Sequence, residues 1–374
     1  MMESKRLIVV LLTLYALFVS MGCRRAGEAP TAEPELAAQE QPAEHHIDRE
    51  VVNRLSRYFA EAAEAGEFSG VALFARNEQV LFHRAYGQAS RRYNVANTVH
   101  TRFNLASASK MFTAVVIAKL VEEGQLTYED RIGTYLSPHW VSEEVGEKVC
   151  IEHLLSHTSG LGHYWDEWDC YGNTIRTLAG YKQLISDDLA FEPGTSWQYS
   201  NTGFLLLGVI IEKVTGRSYY DVVRDVVLEP SGIADAGFYE IDEPYPNLAT
   251  GYFKEGSKIK NNLLLHGVKG SSAGGAWSTA ADLHHFFLAL EADRLVSAES
   301  REVLWAPRPM SARYGYGFET TGGWVGHRGG FPGISALARY YPDSGHTVIV
   351  LSNYSGLALS LEELTEILSK LDKD

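Results

Sequence analysis

The 374-residue sequence has only three cysteines, too few to staple a small disulfide-built fold. It is also short of cations, with 33 lysines and arginines against 47 aspartates and glutamates, a formal net charge of −14. Nucleic-acid phosphates are held by clustered cations, so this balance argues against a nucleic-acid partner. No internal repeat recurs, and strand-like runs never alternate regularly with helical ones, as they would in a doubly wound parallel sheet. What is present has a globular balance, 45% hydrophobic and 21% charged, unlike collagen, a coiled coil or a disordered polymer. The length allows two or three average domains, or one large domain with an insertion.

The one long apolar run stands at the start. Lys5 and Arg6 precede about fifteen apolar residues that end at Gly22-Cys23, the form of a secretory signal and short for a membrane span. A small residue before cysteine is how bacterial lipoprotein signals end, although Ser20 stands where leucine is usual. Residues 1–23 are therefore expected to be a lipoprotein-type signal peptide ending at the lipidation residue Cys23. The alternatives are an uncleaved anchor or a cut elsewhere. Residues 24–47 are rich in Pro, Glu and Ala and nearly free of large apolar residues. They are expected to form a disordered tether, His45 and His46 included, with a mean reach of roughly 25–30 Å. The body is then exported and held at a membrane of the bacterial cell envelope, facing the periplasm. Export would allow Cys150 and Cys170 to pair, and two buried thiols fit the sequence nearly as well.

The folded body is expected over 48–374. Asp48–Ala65 has helical spacing. Ser69–Arg76 and Gln79–Tyr86 are β-rich runs around Asn77-Glu78, the composition of a hairpin. Met111–Glu123 is a strong helix that Gly124 stops. Residues 125–270 are mostly helical in pattern, including Thr202–Thr215 and Tyr219–Leu228. β character returns at Gly333–Tyr341 and Thr347–Asn353, and a last helix is expected from about Ser360 to Leu371. Strands at both ends with helices between predict an α+β fold. One antiparallel sheet is built from both chain ends and flanked by helices, with a mostly helical lobe inserted and a cleft at the junction.

Three constellations carry chemistry. Ser107-Ala-Ser-Lys110 at a helix start places the lysine one turn on from the serine, on the same face. A serine hydroxyl needs a base in reach, and a buried lysine at a helix N-terminus can be that base. Ser257-Lys-Ile-Lys260 has the same spacing but lies in a polar loop. Tyr199-Ser-Asn201 follows Pro193-Gly194 and precedes a helix; a phenol there can relay protons and the amide can hold a carbonyl. Tyr171-Gly-Asn173 and Tyr245-Pro-Asn247 share that tripeptide pattern. His327-Arg-Gly-Gly330 precedes a β run, and its glycines let a strand edge approach substrate and offer an N–H to an oxyanion.

In this order the three motifs resemble the serine β-lactamase-like superfamily on its class C side, which includes class C β-lactamases, DD-peptidases, D-aminopeptidases and related esterases. Ile151–Leu161, Pro193–Asn201, Leu207–Gly216, Gly274–Asp282 and Gly326–Gly333 extend the likeness over about residues 48–352. The resemblance implies Ser107 as nucleophile, with Lys110 and Tyr199 sharing acid–base work. It implies Asn201, His327 and Gly329 as substrate ligands, the N–H groups of Ser107 and Gly330 as oxyanion hole, and no metal or organic cofactor. Where β-lactamases carry a lysine in the third motif this chain has His327, mostly neutral near pH 7. Arg328 next to it should face the other way along a strand. Efficient β-lactam hydrolysis is thereby put in doubt, and ester or D-amino-acid peptide cleavage gains weight. Trp165, Trp168 and Tyr316 are candidate cleft walls.

Two other patterns compete. His153, His157, Gly160 and His163 have metzincin spacing, but Leu154 stands where the catalytic glutamate belongs. Gly270-Ser-Ser-Ala-Gly274 matches a nucleophile elbow on Ser272, followed by Asp343 and His346. However, Gly274-Gly275 interrupts the helix an elbow needs, and a helix starting near Thr279 with Asp282 as its capping acid fits better. His284 and His285 read as helix surface. The expected function is a serine hydrolase acting through an acyl-enzyme on an amide, β-lactam or ester. The alternative is a non-catalytic, envelope-tethered penicillin-binding or sensor protein that acylates without turnover.

Overall fold

The computed structural model describes residues 43–167, 172–321, 323–355 and 366–367. The signal segment with Cys23, residues 24–42 of the tether, Trp168, Cys170, Tyr171 and most of the expected last helix lie outside the described residues. Helix α1 (Ala43–Glu64) begins five residues before Asp48, so residues 43–47 of the expected tether are helical. Ala43 and Glu44 are good helix formers placed just after Pro42, which suits a helix start.

Strands β1 (Gly70–Arg76) and β2 (Gln79–Tyr86) form the expected hairpin, with Asn77 at φ 50° in its turn. Next come α2 (Lys110–Glu122), α3 (Ile151–Leu155), α4 (Asn201–Thr215) and α5 (Tyr219–Val223). An exposed hairpin of β3 (Tyr252–Glu255) and β4 (Lys258–Asn261) interrupts a stretch expected to be mostly helical. Its lysine-rich strands bury little, so they show no apolar alternation. Helices α6 (Ala280–Glu291) and α7 (Ala298–Trp305) precede β5 (Glu319–Thr321), β6 (Trp324–Phe331), β7 (Ile334–Tyr341) and β8 (His346–Ser352). Thr279 caps α6 by accepting from the Asp282 N–H.

The six-stranded sheet runs β2-β1-β8-β7-β6-β5, antiparallel throughout. Both ends of the chain meet where Gly70–Arg76 pairs with Ser352–His346. One face packs under α1, with Val51, Leu55 and Phe59 against Phe74, Leu337, Val348 and Val350; Ile367 joins this cluster. The other face carries Val71, Leu73, Ala338, Ile349 and Leu351 against α2 and α6. Helix α2 is apolar nearly all round because it is buried from Lys110 through Ala118, the pattern of a core helix. His284 is a correction. It is buried between α6 and β8, with Nδ1 3.1 Å from Thr347 Oγ1, while His285 is exposed.

Candidate active site

Ser107 lies in a tight 3-10 turn (Ala106–Ser109) that runs into α2. The residue before it, Ala106, is held at φ 44°, a conformation an alanine adopts only when its surroundings enforce it. Here its N–H donates to Asn104 Oδ1 (2.8 Å), and its carbonyl accepts from Gly275 N–H (3.1 Å) and Ser109 Oγ (2.7 Å). From the sheet side, Gly329 touches the same turn. A Cβ there would stand 2.0 Å from the Leu105 carbonyl oxygen, so only glycine lets β6 lie this close.

Lys110, the first residue of α2, is fully buried. Burial pushes its amine well below the ordinary lysine range. Its Nζ has three polar neighbours: Asn201 Oδ1 at 2.8 Å, the Ala273 carbonyl, and Ser107 Oγ at 3.2 Å. The first two only accept. A neutral amine spends its two hydrogens on them and keeps its lone pair for the Ser107 hydroxyl proton. Asn201 is oriented for this, since its Nδ2 sits 3.3 Å from His163 Nδ1 and its oxygen faces the lysine.

Tyr199 stands one residue before Ser200, whose Oγ caps α4 by accepting from Gly203 N–H at 2.9 Å. Its ring packs on His157 at 4.2 Å, with Lys110 Nζ 4.9 Å from the ring centre. Burial raises the phenol above its usual range, and Ser107 beside it only partly offsets this. Among the described residues the hydroxyl closes no hydrogen bond of ordinary geometry. His157 is buried and pushed well below its usual range, first by burial and then by Lys110. Its Nδ1 accepts from Ser200 N–H at 3.1 Å, fixing the Tyr199–Asn201 turn.

His327 is buried and lowered to about 4, chiefly by burial. Its Nδ1 donates to the Arg328 carbonyl, so Nε2 accepts from the Tyr314 hydroxyl at 2.8 Å. The third motif thus carries no cation on its histidine. Arg328 is exposed, its Nε paired with Glu319 at 2.8 Å.

Ser107 and Gly330 lie where two cavities meet and line both. One is aromatic, walled by Trp165, Tyr181, Tyr239, His266 and Phe331, with Asn201 at its floor. The other is a wide groove that holds Tyr199, Tyr314 and His327. Tyr316 lines neither. It is buried behind the site, donating to Glu152 Oε2 at 3.0 Å with Arg308 stacked 3.6 Å over its ring. The Tyr314–Phe318 segment folds back, with Gly315 N–H donating to the Phe318 carbonyl, so alternate tyrosines do not share a face. Tyr314, at the start of the segment expected to form part of the site wall, is the residue of it that lines the groove, and the Ala273 carbonyl carries no side-chain signal at all.

The competing patterns come apart in space. His153 Nδ1 accepts from Cys150 N–H, while His157 and His163 serve Ser200 and Asn201. Ser272 is fully buried, with its Oγ donating to the Leu205 carbonyl at 3.2 Å. Ser257 and Lys260 are exposed on the β3–β4 hairpin. Cys150 is buried at the start of α3.

The family model described as Beta-lactamase matches residues 55–370. The chain is 32% identical over 328 residues to penicillin-binding protein 4* of Bacillus subtilis (strain 168), covering 80% of this chain and 71% of that protein. It is 32% identical over 200 residues to esterase EstB of Burkholderia gladioli, covering 50% of this chain and 51% of the esterase. Among solved structures, the penicillin binding protein from Bacillus halodurans superposes with a TM-score of 0.74 at 30% identity, covering 84% of this chain and 98% of that one. A D-stereospecific amidohydrolase from Streptomyces sp. gives 0.69 at 25% identity, covering 86% and 97%.

Gly329→Ala tests the contact between β6 and the Ser107 turn. It is expected to lower kcat/KM by about 100-fold, the scale of a 1 Å misplacement, while the protein still folds. Undiminished activity on a chromogenic ester would contradict the close approach.

Proposed function

The chain belongs to the Beta-lactamase family and is a serine hydrolase of that superfamily, and from this premise we propose that Ser107 forms a covalent acyl-enzyme on esters or D-amino-acid amides in preference to β-lactams. The observation that carries this reading is the buried Lys110 amine, 3.2 Å from Ser107 Oγ. Neutral Lys110 takes the Ser107 proton as Oγ attacks the carbonyl carbon. The oxygen that gains charge is met by the N–H groups of Ser107 and Gly330. Tyr199, kept protonated by burial, gives its proton to the departing oxygen or nitrogen, and the proton held on Lys110 restores it. Water then repeats the sequence on the acyl ester and returns free Ser107.

Asn201 lines only the aromatic cavity and Tyr199 only the groove. The acyl part therefore enters the cavity, and the leaving group lies in the groove, within reach of its proton donor. The neutral His327 supports esters and amides over β-lactams, since it offers no charge to a carboxylate next to the scissile bond. Relatives named as an esterase and a D-stereospecific amidohydrolase agree with that direction. The penicillin-binding relatives favour a second reading, an acylated sensor that does not turn over. Export and anchoring through a lipid on Cys23 complete the proposal and rest on the signal-like first 23 residues.

Intact mass measured over time separates the readings, using residues 24–374 mixed with a penicillin or an activated ester. A Ser107-dependent adduct is expected, cleared within seconds to minutes on the ester and absent in Ser107→Ala. An adduct that survives Ser107→Ala would remove the nucleophile assignment, and one that persists for hours on both compounds would favour the sensor. Separately, Cys23→Ser in the full chain is expected to move the protein from the membrane fraction to the soluble one. Unchanged membrane association would argue against the anchor.

A further inference from the structure

The groove on the Tyr199 side of Ser107 has a charge opposite to that of the chain. Arg313, Arg328 and Arg339 line it against the single carboxylate of Glu319, in a protein of net charge −14. Arg328 is engaged with Glu319. Arg313 is exposed at the rim. Arg339 is the unusual one. It stands on β7 opposite Gly326 and is only 7% exposed. Its Nε is buried with no acceptor, and among the described residues its guanidinium makes no hydrogen bond or ion pair. Its one specific contact is the face of Trp324, 4.3 Å from the ring centre.

A guanidinium keeps its proton even when buried. Burying a cation without an acceptor is costly, and a native structure rarely leaves such a group unanswered. The stacked indole fixes the plane of the fork but supplies no acceptor. The missing acceptor has the geometry of a carboxylate, which the fork takes through paired hydrogen bonds.

Its position says which carboxylate. Gly326, opposite Arg339, is four residues along β6 from the oxyanion residue Gly330. That is about 13 Å at ~3.3 Å per strand residue. A carboxylate bonded next to the scissile group does not reach it, whereas one carried about four extended residues into the leaving group does. We propose that Arg339, with Arg313 at the rim, is an anion subsite for the distal end of an extended acidic leaving group. The proposal rests on the reading that Ser107 is acylated with the leaving group in this groove. It adds a substrate feature: a carboxylate remote from the bond that is cut.

Two depsipeptides test it. Both carry phenylacetyl as acyl group and lactyl-Gly-Gly-Gly as leaving group, one ending in a free carboxylate and the other in a carboxamide. Release of phenylacetate is followed by chromatography. The wild type is expected to favour the carboxylate by about tenfold in kcat/KM at low salt, mainly through KM, and to lose much of that preference at high ionic strength. Arg339→Gln is expected to bring the ratio to about one, and Arg339→Lys to keep part of it. Equal rates in the wild type, or a ratio that survives Arg339→Gln, would overturn the subsite. If Arg339→Gln does not fold, the wild-type ratio and its salt dependence decide. Failure of the wild type to cleave either compound, with no phenylacetyl adduct on Ser107, would instead overturn the acyl-enzyme reading and the subsite with it.

Discussion

The amine of Lys110 is held entirely out of water at the first turn of a core helix, and the rest of the site follows from keeping it there. Desolvation disfavours the ammonium, and this is what lets the amine serve as the base in the proposed mechanism. The same burial acts in the opposite sense on Tyr199, keeping its proton on. In the proposed mechanism one apolar environment thus sets Lys110 and Tyr199 apart as base and acid. The neighbours are uncharged as well. His157 and His327 are both shifted towards their neutral forms by burial, so neither stabilises nor repels a proton on Lys110 strongly.

Such a pocket needs rigid walls, and the sheet supplies them. Among the described residues the first and last strands of the sheet pair along Gly70–Arg76 and His346–Ser352, which fixes β7 and β6 beyond them and brings Gly329 onto the Ser107 turn. A separate apolar layer lies under α1. Phe59, Phe68, Phe82 and Tyr86 pack together there and hold the sheet on which the cleft edge depends. From the helical side, α4 and its Ser200 cap present Tyr199 and Asn201 on either side of Lys110, one towards each cavity.

Much of this was legible in the sequence because it depends on short spacing. Ser107 and Lys110 are one turn apart, Tyr199 and Asn201 flank a helix cap, and His327 to Gly330 lie along one strand. The hairpin at Asn77 and the cap at Thr279 were legible for the same reason. What spacing cannot show is which faces other elements cover. Tyr316 was expected on the cleft but turns inward where its segment folds back, and Tyr314 takes that place. His284 was read as surface because its helix face meets β8 only in three dimensions. The β3–β4 hairpin was missed because only Tyr252 at its start is buried, which leaves no apolar alternation to mark the strands. Arg339 sits in a strand that is otherwise core, and only the absence of any acceptor around it among the described residues makes it conspicuous.

The proposed mechanism requires Lys110 to be neutral when the enzyme works. Selective ¹⁵N labelling of lysine, with Lys110→Met to assign the signal, allows its Nζ to be followed by NMR through a pH titration of the free protein. A transition displaced well below that of the other lysines is expected, with the amine uncharged over the pH range of activity. A Lys110 signal that remains an ammonium through that range, titrating with the surface lysines, would contradict it.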